Sequence, residues 1–225
     1  FLRDSINTKD KFLIINTIAS LYPKNKSDIY INRKMPLDLL VFVKKYDSFL
    51  IHLSTNNVLV PELLDEYSTQ KKYAERLILK NEYKKSLIIR LPLLIPFQTL
   101  KKKKYPKQFK FLMNLLNLPF ISLIPPSRNI YRPLNIDIAA EMISELILSG
   151  EFVSMKKTIS LNGSEKMNLS QICSLLIFSN KKKFTIDFSK PFFWYILDKT
   201  FRIFPSFRKF CMKNTLLQQF LPIER

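Results

Sequence analysis

Two periods of apolar residues alternate along the first hundred positions of the chain. KFLIINTIAS (11–20) opens with the run Phe12–Ile15, which has the length and β-branched character of a buried strand, and then becomes a loop. SDIYINRKMPLDLLVFVKKY (27–46) changes to a helical period, with Ile31, Met35, Leu39 and Phe42 or Val43 on one face. Pro36 should kink that helix or start its second part. SFLIHLST (48–55) reads as a second buried strand. DEYSTQKKYAERLILKNEY (65–83) is the clearest helix, with Tyr73, Leu77 and Ile78 expected to face inwards. SLIIRLPLLIP (86–96) is a third strand, ended by Pro92 and Pro96. Strand, helix, strand, helix, strand is the order of a parallel α/β sheet with right-handed crossovers.

Beyond residue 100 the pattern loosens. KKKKYPKQF (101–109) is a charged break, and 109–124 reads as an apolar helix followed by an extended stretch. PPSRNIYRPLN (125–135) is a loop, after which Asp137 can cap a helix over 138–150 that stops at Gly150. Residues 156–179 read as strand, Asn162-Gly163 turn, and a helix capped by Asn168 or Ser170. The division this suggests is 1–100, 101–180 and a tail, 181–225. The tail holds 11 of the 29 aromatic residues, and its Phe193, Leu197, Phe201 and Phe204 recur at helical spacing among Lys199, Arg202, Arg208 and Lys209. That fits either a C-terminal helix packed on the domain or an interfacial helix giving peripheral membrane contact through 181–210.

Hydrophobic content of 47% in 225 residues points to a packed core. The net charge of +19 would suit nucleic acid or an anionic membrane. The lysines are spread along the whole chain, however, as solvated positions are, so a nucleic-acid partner is the least favoured reading. No apolar run reaches the ~18 residues of a membrane span. One histidine, His52, lies inside a strand-like run, and Cys173 and Cys211 are far apart. A zinc site, a disulfide framework and a Ser-His-Asp triad are therefore disfavoured, and no metal is expected.

One constellation suggests chemistry. Tyr67 and Lys71, in YSTQK, share a helix face one turn apart. A neighbouring ammonium favours phenolate and should draw the tyrosine pKa down towards working pH. A hydroxyl from Ser54 or Thr55, at the end of the preceding strand, could complete a site that moves a proton at a carbonyl or alcohol.

With that order in view, residues 10 to 175 resemble the extended short-chain dehydrogenase/reductase superfamily, in its NAD-dependent epimerase/dehydratase group. FLIINTIAS resembles the family's strand and loop beside the cofactor. Asn32 falls where the family carries an asparagine at the start of its next helix. IHLSTNNVL resembles the strand ending in the catalytic Ser/Thr, and is most similar to the sugar-nucleotide reductases that make deoxyrhamnose. YSTQKKYAERLI resembles the Tyr-x-x-x-Lys helix, and LIIRLPLLIP the strand before the substrate cleft. RPLNIDIAAEMI and ISLNGSEKMNLSQICSLL resemble later segments.

The resemblance implies an N-terminally truncated Rossmann-like sheet with a small C-terminal substrate lobe and a basic aromatic helical tail. It implies NAD or NADP, a nucleotide-linked sugar, a homodimer through the two long helices, and a cytoplasmic setting. It makes Tyr67 the general acid/base. Lys71 lowers its pKa and bonds the nicotinamide ribose, and Thr55 (or else Ser54) orients the substrate oxygen. Asn16, Thr17, Ile18, Ala19 and Asn32 line the cofactor, and Pro92 and Leu93 sit near the nicotinamide and the substrate.

A dinucleotide fold also needs a glycine-rich first turn at the pyrophosphate, and the only glycines are Gly150 and Gly163. With Phe1 in first place, the expectation is that two βα units precede this chain in the complete protein. The alternative is a degenerate, non-catalytic relative that acts as a binding or membrane-associated assembly protein.

Overall fold

In the computed structural model the described residues are 11–20, 23, 25–60, 65–95, 113, 116, 121–124, 130–154, 157–177, 184–187 and 199. They divide into two compact units. One holds the residues up to Pro92 together with Ala139–Asn162; the other holds Leu93–Ile138 and the residues from Gly163 onward. Each unit thus takes two separate stretches of chain, where the sequence suggests consecutive blocks.

The first unit is built on a four-stranded parallel sheet. Its β1 (Leu13–Asn16) pairs with β2 (Phe49–Thr55), and β2 pairs with β3 (Ser86–Leu91). The sheet is completed by β8 (Thr158–Ser160), which lies beside β3. The α/β class and the first three strands are as the apolar runs predict. Buried on both faces, β2 shows an almost unbroken run of buried residues from Phe49 to His52, as a central parallel strand must.

The helix expected over 27–46 is two helices, α1 (Lys26–Arg33) and α2 (Met35–Lys45). Pro36 lies in the first turn of α2, where the missing N–H breaks no bond. The buried residues of α2 are Pro36, Leu40 and Val43, so its inward face is turned from the Met35/Leu39 stripe. Leu40 and Val43 pack with Leu50, Ile88 and Ile78, the last from α3 (Glu66–Lys80). Asp65 caps α3 by accepting the Ser68 N–H at 2.7 Å. Tyr73 does not face inwards: it is 37% exposed, with the Arg33 guanidinium 3.9 Å above its ring. The buried stripe of α3 is Ser68, Gln70, Lys71, Ala74, Glu75 and Ile78, which is mostly polar.

The opposite face of the sheet is covered from α4 (Ile136–Ser149) and the 3-10 turn Glu151–Val153. Phe49, Ile51, Leu87 and Ile89 pack there against Ile143, Leu146, Ile147 and Phe152. At the start of α4 the capping oxygen comes from Asn135, which accepts the Asp137 N–H at 2.8 Å, and Asp137 itself lies in the first turn. Gly150 ends the helix with φ 71°, the left-handed position that favours glycine.

The second unit contains three short strand pairs. Parallel pairs join β4 (Leu94–Ile95) to β7 (Leu134–Asn135) and β5 (Ile121–Ile124) to β10 (Phe184–Asp187). An antiparallel pair joins β6 (Ile130–Tyr131) to β9 (Met167–Asn168). The stretch expected as a loop over 125–135 therefore contains strand, and so does the beginning of the tail. The turn read at 162–163 lies in the connection that follows β8 and precedes the helix beginning at Leu169. The Gly163 N–H donates to the Arg132 carbonyl, and a Cβ there would lie 1.8 Å from the Pro133 carbonyl oxygen. In α5 (Leu169–Ile177), Asn168 and Gln171 exchange backbone and side-chain bonds of 2.8 Å, a capping box that Ser170 does not share. Ser170 instead donates to Asp187 at 2.7 Å.

The aromatic stripe Phe193–Phe204 and the membrane contact proposed for it lie outside the described residues. Among the described residues no helix is long and apolar enough to cross a membrane.

Candidate active site

All four strands of the first sheet are parallel, so their C-terminal ends share one edge: Asn16, Thr55, Leu91 and Ser160. Open parallel sheets bind ligands outside that edge. Side chains alternate along each strand. Since Leu50 and Ile88 face α2 and α3, His52, Ser54 and Arg90 do so as well. Asn16 lies opposite His52 in register and bonds to it. A row of polar side chains at the C-terminal ends of the strands thus meets the polar stripe of α3.

The bonds within this layer are specific. Glu75 is fully buried and receives Arg90 at 2.6 Å from Nη2 and 3.1 Å from Nε, a bidentate pair. Lys71 is 2% exposed, and its Nζ donates to the Leu53 carbonyl at 2.9 Å, one residue before Ser54. The same Nζ lies 5.9 Å from the centre of the Tyr67 ring. Tyr67 and Lys71 are therefore brought together, with Lys71 anchored at the end of β2.

Their electrostatics differ from the sequence expectation. Burial, and then the nearby Asp65 carboxylate, push the Tyr67 phenol up to about 12, so Lys71 does not draw it towards neutrality. Burial is the larger effect on the phenol, and the ammonium, bonded to the Leu53 carbonyl, stays 5.9 Å from the ring centre. Lys71 carries the opposite perturbation: burial lowers it to about 8, against an upward pull from Glu75. In this arrangement Tyr67 is a neutral phenol, a proton donor, and Lys71 is an ammonium that gives up its proton easily.

The two candidate hydroxyls separate cleanly. Ser54 is 4% exposed and faces α3, and its Oγ has no partner among the described residues. Thr55 is half-buried; its Oγ1 accepts the Asn57 N–H at 3.3 Å, capping the 3-10 turn Asn56–Leu59 and leaving its own hydrogen to donate. Thr55 is the less buried of the two hydroxyls.

After β1 the chain turns outwards at Thr17, Ile18 and Ala19, all exposed, with Asn16 and Ser20 tied down on either side. Asn32 does not start or cap a helix. It lies fully buried near the end of α1, accepts the Ser20 N–H at 2.8 Å and donates to the Ser20 carbonyl at 2.7 Å. It also donates to Gln70 at 2.9 Å. Pro92 follows β3 at the same edge, half-buried, and Leu93 opens the second unit. Sequence reading passed over Gln70, and it expected Arg90 to be ion-paired without singling out Glu75 as its partner. It read His52 as a plain strand residue, though the alternation of 50, 52 and 54 already puts His52 on the Ser54 side.

No protein-family model matches the chain, and no curated protein matches it in sequence. Solved structures do resemble it. The dTDP-glucose 4,6-dehydratase of Bacillus anthracis, solved with NAD, superposes with a TM-score of 0.58 at 15% identity, over 78% of this chain and 59% of its own. A hypothetical dTDP-4-dehydrorhamnose reductase from Sulfolobus tokodaii gives 0.59 at 17% identity, over 79% and 65%. The UDP-glucuronic acid 4-epimerase of Bacillus cereus, in complex with UDP-glucuronic acid and NAD, gives 0.57 at 17% identity, over 74% and 57%. The chain thus spans about six tenths of the length of these solved proteins. Likeness at this level of identity is one of fold: the chain shares the fold of these dehydratase, reductase and epimerase structures.

Proposed function

We propose that the first unit carries the proton-transfer half of a nicotinamide-dependent active site that acts on a nucleotide-linked sugar, as an oxidoreductase or as an epimerase/dehydratase. The observation that carries this reading is the Tyr67–Lys71 pair. It is held by the Lys71 bond to the Leu53 carbonyl, two residues before Thr55 at the C-terminal edge of a parallel sheet.

The residues suit one end of such a cofactor. Thr17–Ala19, Lys71 and Pro92 would hold the nicotinamide and its ribose, with buried Asn32 supporting the turn from behind rather than touching it. The chemistry a bound nicotinamide supplies is hydride exchange with a sugar carbon. Tyr67, neutral at working pH, would give a proton to the substrate oxygen and take it back in the reverse direction. Lys71 would steady the negative charge that Tyr67 acquires, and Thr55 would orient that oxygen through its hydroxyl hydrogen. The pyrophosphate end has no such match. Gly150 closes α4, and Gly163 packs under Pro133 in the second unit, so neither forms a phosphate-binding turn. The alternative reading is a non-catalytic relative that keeps the fold.

Titration calorimetry with NAD(H) and NADP(H), followed by turnover of UDP- and dTDP-sugars, separates the two. Saturable binding, with Tyr67→Phe losing about 10²- to 10⁴-fold in rate, is the result expected of the enzyme. Absence of binding and of turnover would leave the non-catalytic reading; turnover unchanged in Tyr67→Phe would remove Tyr67 as the proton donor.

A further inference from the structure

His52 is a buried imidazole to which the proton-transfer scheme gives no part. It is fully buried on β2, an interior strand of the sheet. Its Nδ1 lies 3.1 Å from Asn16 Nδ2. Asn16 is oriented by its other atom, because Oδ1 accepts the Ile18 N–H at 3.2 Å. The amide must then present Nδ2 to the ring, so Nδ1 is the acceptor and the ring proton sits on Nε2. That Nε2 is buried and has no partner among the described residues. An orphaned buried donor is a standing cost, which implies that the Nδ1 acceptor is what the position requires.

What it supports is the turn after β1. The bonds run from His52 to Asn16, and from Asn16 to the Ile18 amide. At the far side Asn32 grips both backbone groups of Ser20 and ties to Gln70, the residue before Lys71. Three exposed residues, Thr17, Ile18 and Ala19, are thereby fixed at both ends on the ligand-facing edge. Fixing a loop in its binding conformation beforehand removes the ordering cost from the binding step.

We propose that His52 is a positioning residue which, through its Nδ1 bond to Asn16, sets the conformation of the Thr17–Ala19 turn for its ligand. The assignment of that ligand as a nicotinamide rests on the function proposed above; the positioning itself does not.

The test is nuclear magnetic resonance of the full 225-residue chain. His52 is its single histidine, so the imidazole signals are assigned without mutation. The expected nitrogen pattern is that of the neutral Nε2–H tautomer with a hydrogen-bonded Nδ1; an Nδ1–H tautomer would overturn the proposal. In His52→Leu the Ile18 amide should exchange about fivefold faster while the Ile89 and Leu50 amides keep their protection. His52→Gln, which restores an acceptor, should bring Ile18 back. Equal loosening of all three amides, or an unchanged Ile18, would make His52 a core residue only and overturn the proposal. If His52→Leu does not fold, the tautomer and the Gln variant still decide. Failure of the wild-type chain to bind NAD(H) would count against the nicotinamide reading, and the exchange pattern would still decide the role of His52.

Discussion

The two faces of the four-stranded sheet are buried alike and built differently. On the α4 side Phe49, Ile51, Leu87 and Ile89 meet Ile143, Leu146, Ile147 and Phe152, with Phe49 and Phe152 edge to face at 4.7 Å between ring centres. On the α3 side only the N-terminal half of the strands is apolar, around Leu50 and Ile88. Towards the C-terminal ends that face becomes Asn16, His52, Ser54 and Arg90 against Ser68, Lys71 and Glu75. Residues one apart on the same strand therefore serve opposite purposes. The apolar side supplies non-directional burial, which tolerates small shifts. The polar side supplies bonds of fixed geometry, and it retains four atoms without a partner among the described residues, His52 Nε2, Ser54 Oγ, Ser68 Oγ and Thr158 Oγ1, that a layer built for stability alone would lack. The costly layer lies where the ligand-binding edge is.

This contrast can be broken from either side. The largest effect is expected from Glu75→Gln, which leaves Arg90 partly buried without its counter-charge; urea unfolding should show a loss of about 3–5 kcal/mol. Replacing the pair together, Glu75→Leu with Arg90→Met, should recover most of that loss; a double variant as unstable as the single one would mean that the pair does more than neutralise itself. On the apolar side Ile89→Ala should cost about 2–4 kcal/mol by cavity formation. It should leave the Ile18 amide as protected as before, whereas coupling between the faces would appear as a change there.

The pH dependence sharpens the contrast further, because every group with a strongly shifted pKa in the first unit lies on the polar side. Burial, then Lys71, hold His52 down to about 3 in the fold, against about 6.5 unfolded. As pH falls below 6.5 the unfolded chain takes up the proton that the folded chain refuses, so stability should fall by about 2 kcal/mol by pH 5. His52→Gln should flatten that limb. Lys71, lowered to about 8, acts in the alkaline range: its burial cost is fully present below that pH and is relieved as pH rises towards its unfolded value. The gain should be about 1 kcal/mol between pH 8 and 9, and it should disappear in Lys71→Met. Tyr67, held up at about 12, opposes this above pH 10, where the unfolded phenol ionises first. Stability curves of the wild type and the two variants, taken side by side, check all three signs.

Much of this was legible in the chain itself. Apolar runs of strand length at Phe12–Ile15, 48–55 and 86–91, with helical periods between them, specify a parallel α/β sheet because burial on both faces leaves no other pattern. The Tyr67–Lys71 spacing puts both side chains on one helix face wherever the helix packs. Pro36 and Gly150 mark helix boundaries by what their backbones forbid or allow. Local geometry is enough for each of these.

What distant segments do to one another was decided only in the tertiary structure. The phenol of Tyr67 is raised rather than lowered because burial is a property of the whole unit, and it outweighs one ammonium that is already bonded to the Leu53 carbonyl. Asn32 looks like a cap in sequence, yet it clamps Ser20, because α1 passes over the turn after β1 and brings its last turn against that backbone. Ser54 and Thr55 are equivalent hydroxyls on paper, and the pleat of β2 sends one into the α3 layer and leaves the other half-open. The return of Ala139–Asn162 to the first unit, which places β8 beside β3, leaves no local mark. Periodicity reports which face a residue occupies. Only the packed fold decides what that face meets, and so whether a buried polar atom is bonded, charged or left without a partner.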